Sequence, residues 1–335
     1  MLKNLNRRSL TAFIASAVAF TSLPVFAGSH QIQLRMSTPA SATDARSVAL
    51  QDVFAPAVAT FASYEPHYNA SLIKQNSELE AIASGDLEMS ITSAQELAQY
   101  FPEFSIFATG YVHQDAAHQV AVFNDDLMKP FKQKVEDELG VKLLSIMYLG
   151  RRHVNLRQCR NEVNVRTPAD LAGINLRMPG TDAWQFLGKA LGANPTPMAF
   201  TEVYTALSTS SVDGQDNPLP TVVDAKFYEV TCQIALTSHL VDLNYVAFSK
   251  SVWDGLSAEQ QGIVQTAADA ASESGRQKQL QKESDLVEFL TSNGLEIYEP
   301  DVAAFRNHVQ DQYLSTSASD PWPAGVLDKI NALGN

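Results

Sequence analysis

The sequence predicts an α/β fold made of two lobes, and three observations support this prediction. Short segments with alternating apolar and polar residues are separated by stretches with helical spacing, as where 87–91 follows 76–84, which is typical of a parallel sheet covered by helices. Removal of a 27-residue leader from the 335 residues leaves 308, more than one hydrophobic core usually holds. Residues 257–294 carry a helical pattern of about 38 residues, or ~57 Å, which is longer than one lobe.

Residues 1–27 are predicted to be an export signal that is removed from the mature chain. Lys3, Arg7 and Arg8 form a basic segment, residues 10–23 form an apolar core, and residues 25–27 offer a cleavage site. The apolar core is shorter than the ~20 residues that a membrane-spanning helix needs. The pair of arginines leaves both the general and the twin-arginine export route open.

The mature chain is expected to be strongly acidic. The whole chain has 24 basic and 37 acidic residues, and the leader holds three of the basic ones, so the mature net charge is 21 minus 37, or −16. This charge argues against nucleic acid and anionic membranes as partners. Cys159 and Cys232 could form a disulfide or remain two buried thiols. The absence of a CxxC motif argues against a zinc site.

Strands and helices are expected to alternate along the chain. In the first half we expect strands at 32–36, 65–68, 87–91 and 141–147, and helices at 44–60, 76–84 and 125–139. In the second half we expect a helical turn at 167–170, a strand at 174–178, and helices at 182–191 and 201–207. Turn-rich segments are expected at 192–198 and 212–218. Strand and loop segments are expected at 226–236 and 239–248, followed by the long helix. The long helix could be continuous or broken at 272–275, because glycine weakens helix interiors.

Arg177 interrupts a short apolar strand, and this makes it the strongest candidate for a binding residue. A buried cation without a partner is costly, so Arg177 needs an anion nearby. Its guanidinium can hold a carboxylate through two parallel hydrogen bonds. That carboxylate could belong to a ligand or to an acidic residue of the chain itself.

The stretch 176–220 resembles a known protein family. Its motifs LRMPG, GANPTPM and FTEVYTALSTSSVDGQDNPL are similar to those of DctP-type solute-binding subunits of TRAP (tripartite ATP-independent periplasmic) transporters, and the resemblance covers nearly the whole mature chain. It implies a two-lobed periplasmic binding protein fold with a ligand cleft between the lobes and a long helix spanning both. Lobe I is then expected to comprise 28–152 and 243–282, and lobe II 153–242 and 283–335.

The resemblance also implies which residues bind the ligand. Arg177 matches the family arginine that holds the solute carboxylate, and Gly150-Arg151-Arg152 matches a Gly-x-Arg motif with one extra arginine, so either Arg151 or Arg152 could face the ligand. Asn217 matches an asparagine that points into the cleft, with an Asx-turn before Pro218 as the alternative, and Phe200 matches a hydrophobic wall, with core packing as the alternative. For Arg151 and the neighbouring His153 the alternative is a solvated loop. Weaker candidates are Gln215, Trp184, Tyr204, Tyr245, Gln75, Asn76 and Ser93, and for Trp184 the alternative is core packing.

The function implied by the resemblance is transport. The protein is expected to bind an organic acid, best matched by a sugar acid such as a uronate, to close by a hinge motion, and to deliver the acid to the small and large membrane subunits of the transporter. A C4-dicarboxylate, a sialic or keto acid and an aromatic acid remain open as ligands. The motifs HExxH, GxSxG and GxxxxGKS do not occur, so an enzyme acting on a sugar acid is only a remote alternative, and no cofactor or metal is expected.

Overall fold

The computed structural model describes residues 31–334, and the expected export signal lies outside these residues. Within this range, nine strands form one mixed sheet. They are β1 (Ile32–Ser37), β2 (Ala62–His67), β3 (Met89–Ser93), β4 (Val141–Leu156), β5 (Asn175–Met178), β6 (Asn194–Pro197), β7 (Gly214–Asn217), β8 (Gln233–Ser249) and β9 (Glu296–Tyr298).

Thirteen α-helices in the described part of the chain cover this sheet. They are α1 (Ala45–Ala49), α2 (Ala55–Val58), α3 (Glu78–Ser84), α4 (Ala94–Leu97), α5 (Ala116–Asn124), α6 (Lys129–Leu139), α7 (Asp182–Ala190), α8 (Val203–Ser208), α9 (Leu219–Asp224), α10 (Lys250–Gly255), α11 (Ala258–Ser292), α12 (Val302–Leu314) and α13 (Val326–Leu333). A π-helical turn, Leu50–Phe54, joins α1 to α2. Gly85 and Gly140 end α3 and α6 in the left-handed conformation, as the sequence predicts.

Two long strands hold the sheet together. The strand order is β2-β1-β3-β8-β4-β7-β5-β6, with β9 pairing with β8. Strands β4, of 16 residues, and β8, of 17 residues, run antiparallel through the centre, and parallel pairs flank them on both sides. Both long strands therefore pass from one lobe into the other.

The buried apolar side chains form separate cores in the two lobes. Representative members in the first lobe are Leu34, Phe54, Phe104 and Phe131, and in the second lobe Leu176, Leu187, Val203 and Phe227. The last helix, α13, places Ile330 in a first-lobe core and packs against α5. The exact residues at which the lobes divide stay a prediction.

Helix α11 is continuous and spans both lobes. Ser257 and Gln260 form the capping box that the sequence predicts at its start. Val264 and Ala271 belong to a first-lobe core, whereas Leu290 belongs to a second-lobe core. Gly275 does not break the helix. A Cβ at this position would lie 3.3 Å from the Cβ of Ala49, so the glycine permits close packing against α1.

The expected end of the fourth strand and two expected turn segments are wrong. Strand β4 continues to Leu156, so the cluster Arg151-Arg152-His153 lies inside a strand rather than in a loop after it. Residues 194–197 and 214–217 form the strands β6 and β7. Polar residues normally argue against a central strand, but Gln215, Asp216 and Asn217 on β7 are buried and hydrogen-bonded, which the sequence pattern does not reveal. Strand β6 lies at the edge of the sheet, and its residues are exposed or half-buried.

The open question about the cysteines is resolved in favour of a disulfide. Cys159 and Cys232 are bonded, with their Cα atoms 4.9 Å apart. The bond ties the segment after β4 to the residue before β8. Across residues 31–334, no helix has the length and apolar character needed to cross a membrane.

Candidate functional site: an arginine-lined cavity

A cavity of about 160 Å³ is lined by residues from both lobes. For comparison, an apolar cavity of roughly 150 Å³ accommodates benzene, so this space suits a small organic molecule rather than a single water. Three arginines line it: Arg46 near the start of α1, Arg152 on β4 and Arg177 on β5. The three differ in how their charges are compensated.

Arg177 lacks a carboxylate partner within ion-pair distance anywhere in residues 31–334. It is 1% exposed, and its Nε and Nη2 donate to the backbone oxygen of Met198 at 3.0 and 2.7 Å. Burial is the main cause that lowers the pKa of Arg177 to about 9, and the charge of Asp216 opposes this effect. Three of its five N–H groups have no protein acceptor in this range, including a pair on Nη1 and Nη2 that can hold a carboxylate end-on. Within residues 31–334, Arg177 therefore does not form the internal ion pair that was the alternative.

Arg152 is the member of the Arg151-Arg152 pair that reaches the cavity, and it is fully compensated. Its Nε donates to Asp242 at 2.6 Å, and its Nη1 lies 3.3 Å from a carboxylate oxygen of Asp216. Burial alone would lower the pKa of Arg152, but these two carboxylates outweigh it and raise the pKa. The guanidinium also stacks on Trp184, 4.3 Å from the ring centre. Arg151 instead donates to the backbone oxygen of Gln114 and does not line the cavity.

Arg46, which the sequence analysis missed, is compensated by a neighbour in sequence. Its Nε and Nη2 donate to the two oxygens of Asp44 at 2.9 and 2.7 Å, and its Nη1 donates to Oδ1 of Asn244. Asp44 also caps α1 by accepting from the backbone N–H of Arg46. Burial opposes ionisation of Asp44, but the charge and hydrogen bonds of Arg46 outweigh it and lower the pKa of Asp44. The sequence does show an aspartate at a helix start, but nothing in it marks Arg46 as buried.

Polar groups from both lobes complete the cavity wall. Asn217 lines it, and its amide donates to Gln215, which is fully buried behind it and does not reach the cavity. Gln75 accepts a hydrogen bond from the backbone N–H of Phe200 at 2.7 Å, and both residues line the cavity. Ser93 also lines the cavity and caps α4. The structure therefore brings together seven of the predicted residues: Arg177, Arg152, Asn217, Phe200, Trp184, Gln75 and Ser93.

Three further candidates lie elsewhere. Tyr245 belongs to a first-lobe core, with its ring 6.2 Å from that of Phe104. Side chains alternate between the two faces of a strand, so the neighbouring Asn244 faces the cavity and Tyr245 faces the core. Asn76 does not line the cavity, and Tyr204 donates to Glu229 at the surface.

Acidic groups around the cavity are either paired or hard to ionise. Asp224, which lines it, lies 3.3 Å from the ammonium group of Lys282. Glu96 also lines the cavity, and burial raises its pKa. Among the described residues, the arginine at 177 is thus the lining cation that lacks a paired carboxylate. This arrangement suits a small molecule with one anionic group and several hydroxyls.

Comparisons with known proteins agree with this chemistry. The model for the DctP family, bacterial extracellular solute-binding protein family 7, matches residues 61–320. The chain is similar to the sialic acid-binding periplasmic protein SiaP of Vibrio cholerae, at 31% identity over 79% of this chain and 80% of that protein.

The chain is also similar to the crystal structure of a TRAP periplasmic solute-binding protein from Roseobacter denitrificans with bound 3-deoxy-D-manno-oct-2-ulosonic acid (KDO). The two share 79% identity with a TM-score of 0.90, over 91% of this chain and 100% of that one. A second protein from Roseobacter denitrificans, with bound L-galactonate, shares 26% identity with a TM-score of 0.80, over 91% of this chain and 99% of that one.

Proposed function

The chain belongs to the DctP family of bacterial extracellular solute-binding proteins, and from this we propose that it captures a monoanionic sugar acid for a TRAP transporter. The observation that carries the proposal is the unpaired guanidinium of Arg177 in a cavity whose other cations are already paired. A ligand carboxylate supplies the anion that Arg177 lacks. At ~4 Å and an effective dielectric of ~20, this attraction is about 4 kcal/mol before desolvation is subtracted.

The pairing of the other arginines argues for one carboxylate in the ligand rather than two. Arg152 already faces Asp216 and Asp242, and Arg46 already faces Asp44. A second carboxylate would lie among these acidic groups without a free cation, and burying it there would be costly. This argument disfavours a C4-dicarboxylate.

Within the sugar acids, the ligand class best supported is a 3-deoxy-2-ulosonic acid. KDO and sialic acid are the compounds named for two relatives, and both carry a carboxylate on a keto or hemiketal carbon, a methylene next to it, and a polyhydroxylated tail. At 79% identity the KDO-bound relative is close enough for the same ligand to be the first one to test. Aldonates and uronates are the second candidates, because L-galactonate is bound in a more distant relative.

The proposed cycle takes place in the periplasm. Residues 1–27 act as the export signal, and the mature protein binds the acid, closes around it and presents the closed form to the membrane subunits. The hydrogen bond between Gln75 and the backbone of Phe200 joins the two sides of the cavity in the closed form. The protein releases its ligand unchanged and does not act as an enzyme.

Calorimetry and thermal unfolding of the mature protein, residues 28–335, test this proposal. We expect binding of KDO and N-acetylneuraminate, weaker binding of D-galacturonate, and none of succinate. A ligand at a hundredfold excess over its Kd should stabilise the protein by about 2.7 kcal/mol. Stabilisation by succinate, or only by neutral or cationic compounds, would contradict the monoanion assignment. Conversion of KDO, followed by mass spectrometry, would contradict the non-catalytic role.

A further inference from the structure

A second polar cluster lines the cavity on the first-lobe side, and it consists of Asp44, Arg46 and Asn244. Arg46 is 9% exposed and is held at three of its N–H groups: two by the carboxylate of Asp44 and one by the amide oxygen of Asn244. Asp44 is fixed in turn by its position at the start of α1, and Asn244 by its place on β8 between Ser93 and Met147. The cluster is therefore rigid before any ligand arrives.

The charge of this cluster distinguishes it from Arg177. Arg46 and Asp44 form a closely bonded ion pair, so their charges cancel at the cavity wall. A ligand carboxylate gains more at the uncompensated Arg177 than at a guanidinium beside its own aspartate. The cluster consequently has hydrogen bonds to offer a ligand, but little net charge.

The remaining hydrogen-bonding capacity fits neighbouring hydroxyl groups. Two of the five N–H groups of Arg46 and both N–H groups of Asn244 lack an acceptor within residues 31–334. The carboxylate of Asp44 accepts three hydrogen bonds and has about four lone-pair sites, so about one acceptor site remains. A hydroxyl both accepts and donates, so a vicinal diol can satisfy donors and acceptor together.

We infer that Asp44, Arg46 and Asn244 form a subsite for the polyhydroxylated tail of the sugar acid, and that Arg46 sets the preferred chain length. The inference rests on the proposed binding of a sugar acid with its carboxylate at Arg177. An acid of eight or nine carbons reaches both lobes and stabilises the closed form, whereas a six-carbon acid leaves the subsite to water.

Calorimetry with two acids tests the inference: KDO, and 2-keto-3-deoxy-D-gluconate, which keeps the carboxylate, keto group and methylene but has only six carbons. Arg46→Gln should weaken KDO binding by about 10- to 100-fold, because the charge-assisted donors are lost. The same change should alter binding of the six-carbon acid by less than about threefold, since that acid does not use these donors. Asn244→Ala should give the same selectivity with a smaller loss for KDO.

Arg35→Gln is the matched control. Arg35 also holds a carboxylate, that of Glu88, at 2.9 and 2.7 Å, but it lies outside the cavity. This change should leave both affinities as they are. Equal losses for the two acids in Arg46→Gln, or no loss for KDO, would overturn the subsite.

A crystal structure of the KDO complex decides the matter independently, even if the six-carbon acid binds too weakly to measure. We expect tail hydroxyl oxygens within about 3.2 Å of nitrogen atoms of Arg46 or Asn244. Only water at Arg46 and Asn244, with the ligand carboxylate at Arg177, would refute the inference while leaving the proposed function intact. The ligand carboxylate at Arg46 would refute the inference and also contradict the assignment of the carboxylate to Arg177. An absence of any binding heat from the unaltered protein would refute the proposed function itself.

Discussion

Replacing Arg177 by methionine should strongly weaken ligand binding and yet make the unliganded protein more stable. Methionine keeps an unbranched side chain without the charge. Burial lowers the pKa of the Arg177 guanidinium from 12.5 to about 9. At ~1.4 kcal/mol per pKa unit, the charged side chain therefore lowers the free energy of unfolding by about 5 kcal/mol. The substitution also removes two hydrogen bonds from the backbone oxygen of Met198, a loss of about 1–3 kcal/mol. The net expectation is a gain on the order of 2 kcal/mol in the free energy of unfolding.

Arg152→Met is the comparison that makes this prediction specific. Arg152 lies between the buried carboxylates of Asp216 and Asp242. Its removal leaves Asp242 without its cation and Asp216 with only the imidazole of His239, 3.2 Å away. Breaking a buried ion pair in this way typically costs about 3–5 kcal/mol. Both variants should lose about 2–5 kcal/mol of ligand binding, or roughly 30- to 5,000-fold in Kd. The two arginines therefore share an effect on binding but have opposite effects on unliganded stability.

Urea unfolding without ligand measures the stability difference, and titration calorimetry with KDO measures the binding difference. The slope of the unfolding free energy against urea concentration should be similar for the unaltered protein, Arg177→Met and Arg152→Met. Similar slopes would show that the three proteins expose the same surface on unfolding, so that their midpoints can be compared. If Arg177→Met were destabilised as much as Arg152→Met, Arg177 would have to be compensated within the protein. Unchanged affinity for KDO in Arg177→Met would refute its role as the carboxylate partner.

Three other predictions concern stability. Reducing the disulfide between Cys159 and Cys232 opens a loop of 73 residues and should lower the free energy of unfolding by up to about 4 kcal/mol, measured by urea unfolding with and without reductant. Burial, reinforced by Glu96, raises the pKa of Glu78 to about 8, so the protonated carboxyl favours the folded state. Its contribution, on the order of 5 kcal/mol, is complete below pH ~4.5 and is lost as the pH rises to about 8. In Glu78→Gln this slope of stability against pH should flatten. Gly275→Leu should destabilise the protein by about 1–3 kcal/mol in thermal unfolding, because its side chain would meet α1, whereas Gly262→Leu, where an added Cβ meets nothing within 4 Å, should not.

Much of the fold could be predicted from local sequence patterns. The strand at residue 32, the helix ends at Gly85 and Gly140, and the capping box at Ser257 each depend on a few neighbouring residues, and the structure has all of them. Continuity of α11 could not be decided in this way. Gly275 has the same local propensity whether it lies in a break or in a tight contact with α1, and only the packed structure distinguishes the two cases.

The extent of β4 and β8 could not be predicted because their central residues are polar. Arg152, Asp242 and Asn244 lie in strands that are buried on both faces, where a pattern-based prediction expects apolar residues. They are tolerated because Arg152 and Asp242 neutralise each other and Asn244 accepts from Arg46. Such compensation depends on residues far apart in the chain, so it becomes visible only after folding.

Some of the binding residues could likewise be predicted from local sequence motifs, whereas the positions of others depend on contacts between distant parts of the chain. Arg177 and Asn217 lie in motifs that the chain shares with its family, and both line the cavity. Tyr245 is a weaker candidate within the expected strand and loop segment 239–248, and its position on the core side of β8 depends on the register of that strand. Arg46 was missed because it lies in an ordinary amphipathic segment, and its burial results from contacts with Asn244, 198 residues away.

The three arginines that line the cavity lie in different parts of the two lobes. In the proposed cycle, this arrangement explains why binding of a ligand brings the lobes together. Arg152 lies on β4, which passes through both lobes, whereas Arg177 belongs to the second lobe and Arg46 to the first. The direct hydrogen bond across the cavity between Gln75 and Phe200 contributes only about 1 kcal/mol. A ligand that binds Arg177 and the Arg46 cluster together adds contacts that exist only in the closed form. The free energy by which the ligand favours the closed form equals the difference between its binding free energies for the closed and open forms. An acid that contacts only Arg177 should therefore bind, but a smaller fraction of the protein should be closed.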